Sequence, residues 1–404
     1  MNDPIVIVGG GHAAAALCAG LAAAGLGPRV HLVCEEDELP YQRPPLSKSF
    51  LKNPDEALQP HRAEAWYAEA GITLHRGDAA RSIDRGARTV HLRSGAVLPY
   101  ARLVLATGAR ARGLPHLPSP LGNVHALRSA ADARRLRRAL AGAGAVTLLG
   151  GGFIGLEIAA SARALGKAVT VLEAAPRLLA RSVSAELAAH VLAVHRAAGI
   201  GLHLGVAMGG FEVEGDRLAA LTVDGRREAV DLLVLGIGAE PEQALAQAAG
   251  LACGHGILVD AGLRTSDPAI LALGDCASGP ATDDSGRPLR LESVPNAQDQ
   301  ARTALATLQG RDEPHTALPW FWSEQGAMRL QMAGLLPAGA TPHRRPGPTA
   351  AGFSLLHYLG DRLACVESVN APHDHLAARQ LLAAGRSPAS ALACDPALPL
   401  KSLG

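Results

Sequence analysis

The 404-residue chain has six cysteines, and no two stand close together: Cys18, Cys34, Cys253, Cys276, Cys365 and Cys394 include no C-x-x-C. That scatter argues against a redox-active dithiol and against a clustered zinc site, so each cysteine is expected to be a small buried or half-buried residue. No apolar run reaches the roughly 18 residues a membrane-spanning helix needs. The N-terminal apolar stretch lacks the basic leader of a signal peptide, so a cytoplasmic protein with no membrane partner is expected. A net charge of +1 offers no basic excess for nucleic acid. Aromatic residues make up only 3%, so any cluster of them stands out. What remains, 48% hydrophobic and 19% charged over this length, fits a globular protein of two or three domains.

The strongest pattern is Thr147–Glu173, TLLGGGFIGLEIAASARALGKAVTVLE. Val146–Leu149 reads as a buried strand, after which Gly150, Gly152 and Gly155 fall at G-x-G-x-x-G spacing, with Phe153 and Ile154 inside the motif. The first glycine permits the tight turn, the second lets backbone approach a pyrophosphate, and the third lets helix and strand pack closely. An Ala- and Leu-rich helix, Phe153–Leu165, presents its N-terminus to the phosphates. A second strand, Ala168–Leu172, ends on Glu173, where an acid takes a ribose hydroxyl. The unit recurs at the N-terminus: strand Ile5–Val8, then Gly9, Gly11 and Ala14 as G-x-G-x-x-A enclosing His12 and Ala13, helix His12–Ala24, strand Val30–Cys34 and the acid Glu35. Two such units mean two dinucleotides, most economically FAD in one and a nicotinamide cofactor in the other.

Between and after them lie further signals. Leu39–Lys48, LPYQRPPLSK, is stiffened by Pro40, Pro44 and Pro45 and carries Arg43 and Lys48, a fixed loop suited to an anionic ligand. Ile72–Tyr100 reads as short strands turning at Arg76–Gly77 and Ser94–Gly95, and Leu103–Gly108 as a buried strand closing on Ala106, Thr107 and Gly108. Asp231–Gly238 reads as a strand ending in a turn whose Ile237 and Gly238 offer backbone to a nicotinamide. Gly256–Asp275 holds a buried strand, and a helix is predicted from Pro295 or Asn296. From about Leu318 the pattern changes to strand-like runs, Gly352–Leu359 and Arg362–Val369, and a helix Asp374–Ala384, headed by Trp320 and Trp322. His373 and His375 alone do not predict a metal site.

Gly9–Ala14, Arg43–Lys48 and Gly150–Glu157, in this order, resemble the FAD-dependent NADH:ferredoxin reductases that serve bacterial Rieske-type ring-hydroxylating dioxygenases and haem monooxygenases, over essentially the whole chain. The loop RPPLSK is the most specific piece. The resemblance implies that Lys48 lies near the flavin N5 and pairs with Glu157, and that Ala13 and Glu35 contact the FAD pyrophosphate and ribose. It further implies FAD contacts at Arg43, Ala80, Thr107, Gly108, Arg128, Gly274, Asp275, Val294 and Trp320, and an NAD adenosine contact at Arg181. Glu173 favours NADH by repelling a 2′-phosphate, although Arg177 and Arg181 close behind it blur that preference.

The expectation is therefore an α/β flavoprotein: a discontinuous FAD domain (1–113 and 242–317), an inserted NAD domain (114–241) and a small α+β C-terminal domain (318–404). Lys48 and Glu157 are its candidate catalytic residues, and the acceptor implied is a [2Fe–2S] ferredoxin feeding an oxygenase. The alternatives are an NADH oxidase, for which Cys34 is wrongly placed, and a flavin- and NADH-binding sensor acting through a partner.

Overall fold

Short β-branched strands alternating with alanine-rich helices build two parallel sheets in this computed structural model, which describes residues 3–118, 120–283 and 285–403. The chain divides into two compact units. One comprises Met1–Gln42, Leu58–Arg110 and Glu240–Pro319; the other comprises Arg43–Ala57, Ala111–Ala239 and Trp320–Gly404.

In the first unit the parallel sheet runs in the order Ile270–Ala272, Arg102–Leu105, Ile5–Val8, Val30–Val33, Thr73–His75. Val6, Ile7, Leu103, Val104 and Leu105 are wholly buried, which is why these strands are continuously apolar rather than alternating. The helix His12–Ala23 follows the first strand, and an antiparallel sheet of Ala80–Asp84, Thr89–Leu92 and Val97–Pro99 uses positive-φ glycines at Gly77 and Gly95, close to the turns expected there. The helix expected from Pro295 or Asn296 begins earlier, at Val294, because the Ser293 side chain accepts the Asn296 N–H at 3.1 Å and caps it.

The second unit contains the other parallel sheet, ordered Gly201–Leu204, Ala168–Glu173, Ala145–Leu149, Leu232–Leu235, Val124–Ala126. The helix Phe153–Ala164 follows the central strand. A three-stranded antiparallel sheet, Met208–Glu214, Arg217–Val223 and Arg226–Ala229, interrupts the parallel order. The C-terminal part is a five-stranded antiparallel sheet, ordered Trp320–Gln325, Met328–Gly334, Arg362–Val369, Phe353–Leu359, Thr341–Pro346, with the helix Pro372–Ala383. One core joins Leu148, Leu156 and Val171 of the parallel sheet and its helix to Leu330, Leu355 and Val369 of the antiparallel sheet. A buried carboxylate adds to that junction: Glu367 accepts from the Ser184 backbone N–H at 2.8 Å, at the start of the helix Ala185–Ala197.

Among the described residues no helix is long and apolar enough to cross a membrane.

Candidate functional site

The two glycine turns have the same build. Gly9 and Gly150 take φ of 117° and 99°, a left-handed conformation that other residues resist. A β-carbon on Gly155 would stand 2.4 Å from the Gly150 carbonyl oxygen, so the helix packs against the turn only because that residue is glycine. In the first unit Ala14 takes the equivalent place and is fully buried. The middle glycines differ. A β-carbon on Gly11 would meet nothing within 4 Å, and one on Gly152 only the Gly236 oxygen at 3.8 Å. Both cap their helices with no side chain on the backbone N–H groups, whereas Ser129, Ser184 and Ser293 cap theirs with a hydroxyl. Two open helix N-termini with room above them are suited to hold pyrophosphates.

Around the first turn, Thr107 N lies 3.1 Å from the β-position of Gly9, and Ala13 Cβ lies 3.1 Å from that of Gly274, so these residues are brought together. Thr107 Oγ1 donates to the Glu242 carbonyl at 2.6 Å, and Gly108 takes φ of 74°. Gly274 and Asp275 form a 3-10 turn, held by the Gln300 side chain accepting from Gly274 N at 2.6 Å and by Arg290 donating to the Asp275 carbonyl at 3.1 Å. The His12 ring meets His61 edge-on at 4.6 Å. Ala80 packs on the cluster containing Val8 and Val33, Glu35 is exposed after its strand, and Val294 opens its capped helix. The remaining expected FAD contacts, Arg43, Lys48, Arg128 and Trp320, belong to the second unit.

At the second turn Glu173 is fixed rather than free. Its Oε2 accepts from Gly151 N at 2.6 Å and its Oε1 from Ala175 N at 2.7 Å, which anchors a negative charge at the strand end. Arg177 spends its guanidinium on the carbonyls of Val183 and Ala180, at 2.8 and 2.6 Å. The Arg181 guanidinium reaches Gly238, 3.5 Å from its β-position, and Ile237 precedes that glycine after the strand Leu232–Leu235.

Lys48 and Glu157 meet in the same unit. Lys48 Nζ lies 2.8 Å from Glu157 Oε2 and also donates to the Pro44 carbonyl at 3.1 Å. Glu157 is buried at 3% exposure in the first turns of the helix Phe153–Ala164. A buried carboxylate requires donors, and this one has several besides Lys48: Ser47 Oγ at 2.5 Å on the same oxygen, Ser323 Oγ at 2.7 Å and Glu324 N at 3.3 Å on the other. One helical turn on, Ser161 Oγ donates to the Ser47 carbonyl at 2.7 Å, so the helix grips the RPPLSK loop twice. Ser47, Ser161 and Ser323 were not singled out from sequence. Ser47 lies inside the quoted loop, Ser161 at i+4 from Glu157 and Ser323 directly after Trp322, which are usable signals. Arg43 donates to the Arg128 carbonyl at 2.7 Å, placing those two side by side.

Trp320 stacks on Trp322 with centroids 5.6 Å apart, and the Arg379 guanidinium lies 3.9 Å over the Trp320 ring. His375 is beside it, both ring nitrogens buried without a partner, and burial together with Arg379 and Arg329 lowers its pKa to about 4. All six cysteines are free; Cys18, Cys34, Cys276 and Cys365 are buried, and burial pushes the Cys34 thiol up to about 12.

Known proteins share this fold over nearly the whole chain. The family described as pyridine nucleotide-disulphide oxidoreductase matches residues 3–301, and the one described as reductase C-terminal matches residues 320–404. The anthranilate 1,2-dioxygenase system ferredoxin–NAD(+) reductase component of Burkholderia cepacia is 41% identical, over 99% of this chain and 99% of its own. The crystal structure of the ferredoxin reductase for the CYP199A2 system from Rhodopseudomonas palustris superposes with a TM-score of 0.94 at 40% identity, covering 99% of each chain. The reductase in the covalent putidaredoxin reductase–putidaredoxin complex gives a TM-score of 0.92 at 37% identity, covering 100% of this chain and 98% of that one.

Proposed function

From a chain that belongs to the pyridine nucleotide-disulphide oxidoreductase family, and so binds a flavin and a nicotinamide dinucleotide, we propose an FAD-dependent NADH:ferredoxin reductase of the cytoplasm. In this reading residues 1–113 and 242–317 hold FAD, residues 114–241 hold NADH, and residues 318–404 form the third domain. The partner is a [2Fe–2S] ferredoxin that feeds an oxygenase. Relatives named for a dioxygenase system and for a complex with putidaredoxin support that partner.

The open turns at Gly11 and Gly152 fit two pyrophosphates, with Glu35 and Glu173 at the adjoining strand ends for the riboses. Glu173 favours NADH over NADPH because its carboxylate is fixed at the strand end and Arg177 is committed to backbone carbonyls rather than free for a 2′-phosphate. Once bound, FAD supplies hydride acceptance from NADH and the conversion of two-electron into one-electron transfer. The Lys48–Glu157 pair is the observation that carries the reading. Glu157 keeps Lys48 paired in a mostly buried setting, and Lys48 supplies positive charge where negative charge grows on reduction. The rest of the work is positioning, since hydride transfer needs oriented partners more than acid–base groups.

The scatter of free, mostly buried cysteines disfavours an oxidase or disulfide mechanism. Anaerobic stopped-flow absorbance tests the proposal by mixing the yellow protein with NADH, then with an oxidised [2Fe–2S] ferredoxin. Rapid bleaching and ferredoxin-dependent recovery are expected. Recovery with oxygen alone, and never with a ferredoxin, would replace this reading with the oxidase or the sensor.

A further inference from the structure

We infer that Ser323, Gln325 and His195 are positioning residues for the Lys48–Glu157 pair, joined in a hydrogen-bond chain that runs one way, from the helix Ala185–Ala197 to the Glu157 carboxylate. The inference rests on the role proposed above for that pair. Gln325 Nε2 lies 3.2 Å from Ser323 Oγ, and Gln325 Oε1 lies 2.7 Å from His195 Nε2. All the members are buried: Ser323 at 0% exposure, Gln325 at 2% and His195 at 2%.

The direction follows from chemistry. A carboxylate only accepts, so Ser323 gives its single proton to Glu157, 2.7 Å away. Its oxygen is then the acceptor for Gln325, which must turn its amide NH2 toward Ser323 and its carbonyl toward His195. His195 must in turn carry its proton on Nε2, and burial keeps the ring neutral by lowering its pKa. Every bond of the chain thus points its donor at Glu157.

The carboxylate is filled on both sides. Ser47 and Lys48 take Oε2, while Ser323 and the Glu324 N–H take Oε1. Glu157 therefore acts as a fixed anion that aims Lys48, not as a proton shuttle, and the strand Trp320–Gln325 supplies half of what fixes it. Without the Ser323 hydroxyl, one carboxylate oxygen loses a short donor and the buried Gln325 amide loses its acceptor.

Two measurements on the FAD-loaded protein test this. Histidine 15N NMR, with His195→Asn identifying the resonance, is expected to show the Nε2–H tautomer; the Nδ1–H tautomer would overturn the chain's direction. In stopped flow, Ser323→Ala should slow NADH-driven flavin reduction about tenfold, with FAD content and NADH Kd kept, and Ser323→Thr should restore most of the rate. An unchanged rate in Ser323→Ala, or a loss that appears only as lost FAD or weakened NADH binding, would sink the positioning role. Glu157→Gln separates the layers: if it leaves the rate intact, the proposed role of the pair itself fails, whereas a slow Glu157→Gln beside a normal Ser323→Ala rejects the chain alone.

Discussion

The carbonyl oxygen of Gly236 stands 2.4 Å from where a β-carbon on Gly150 would be, so the backbone after the strand Leu232–Leu235 closes directly over the first glycine of the second turn. Gly150→Ala adds that clash to an unfavourable φ and should destabilise the protein by about 2 kcal/mol or more. Gly152→Ala projects into open space, should keep stability within about 1 kcal/mol, and should weaken NADH binding. Thermal unfolding and NADH titration of both variants check the pair; equal stability loss in the two would contradict this account of the turn.

Lys48→Met removes the cation that Glu157 holds and leaves a buried carboxylate with one donor fewer. Flavin reduction by NADH should slow by roughly two orders of magnitude, the scale of losing one well-aimed electrostatic group. Rapid-mixing absorbance at equal FAD occupancy measures it, and a rate near that of the parent protein would remove Lys48 from the reaction.

Thiol chemistry should be irrelevant to turnover. Burial raises the thiols of Cys18, Cys34 and Cys365, and only Cys253 and Cys394 are half-exposed. Alkylation of the native protein should label these two first and leave ferredoxin reduction intact. Parallel loss of activity with the first thiol labelled would point to an oxidase-like cysteine instead.

His375 makes stability depend on pH. Its folded pKa of about 4, against 6.5 ordinarily, means that between those values the unfolded chain binds a proton that the native state refuses. Stability should therefore fall as pH drops through that window, by up to about 3 kcal/mol. Urea unfolding of the full chain followed by tryptophan fluorescence, compared with His375→Leu, measures the slope. An equally steep slope in the variant would assign it to other groups.

The parts of the fold written in local spacing were readable. Both strand–turn–helix–strand units stand where the glycines put them, because a turn at positive φ and a close helix contact each demand glycine at a fixed offset. The antiparallel sheet at Met208–Ala229 was missed although Asp224–Gly225, both at positive φ, is a two-residue hairpin signal between its last strands. Ser293 could likewise have moved the last helix of the first unit back to Val294. The surroundings of Glu157 were not readable from spacing. Its donors come from Ser47 and Lys48 on one side and Ser323 on the other, all more than a hundred residues from Glu157 in the chain, and only the resemblance joined Lys48 to it. Glu173 was legible as a strand-end acid, but not its grip on Gly151 and Ala175, since backbone donors leave no mark in a sequence.

Ser323 lies 166 residues beyond Glu157, on the first strand of the C-terminal sheet. Exchanging that terminal segment between relatives is consequently not a neutral graft of a docking module: the donor chain brings its own hydroxyl, amide and strand register to the carboxylate. On the role proposed for the Lys48–Glu157 pair, a chimaera built to change the choice of electron acceptor is expected to alter the hydride half of the reaction as well, and its kinetics would have to be read for both.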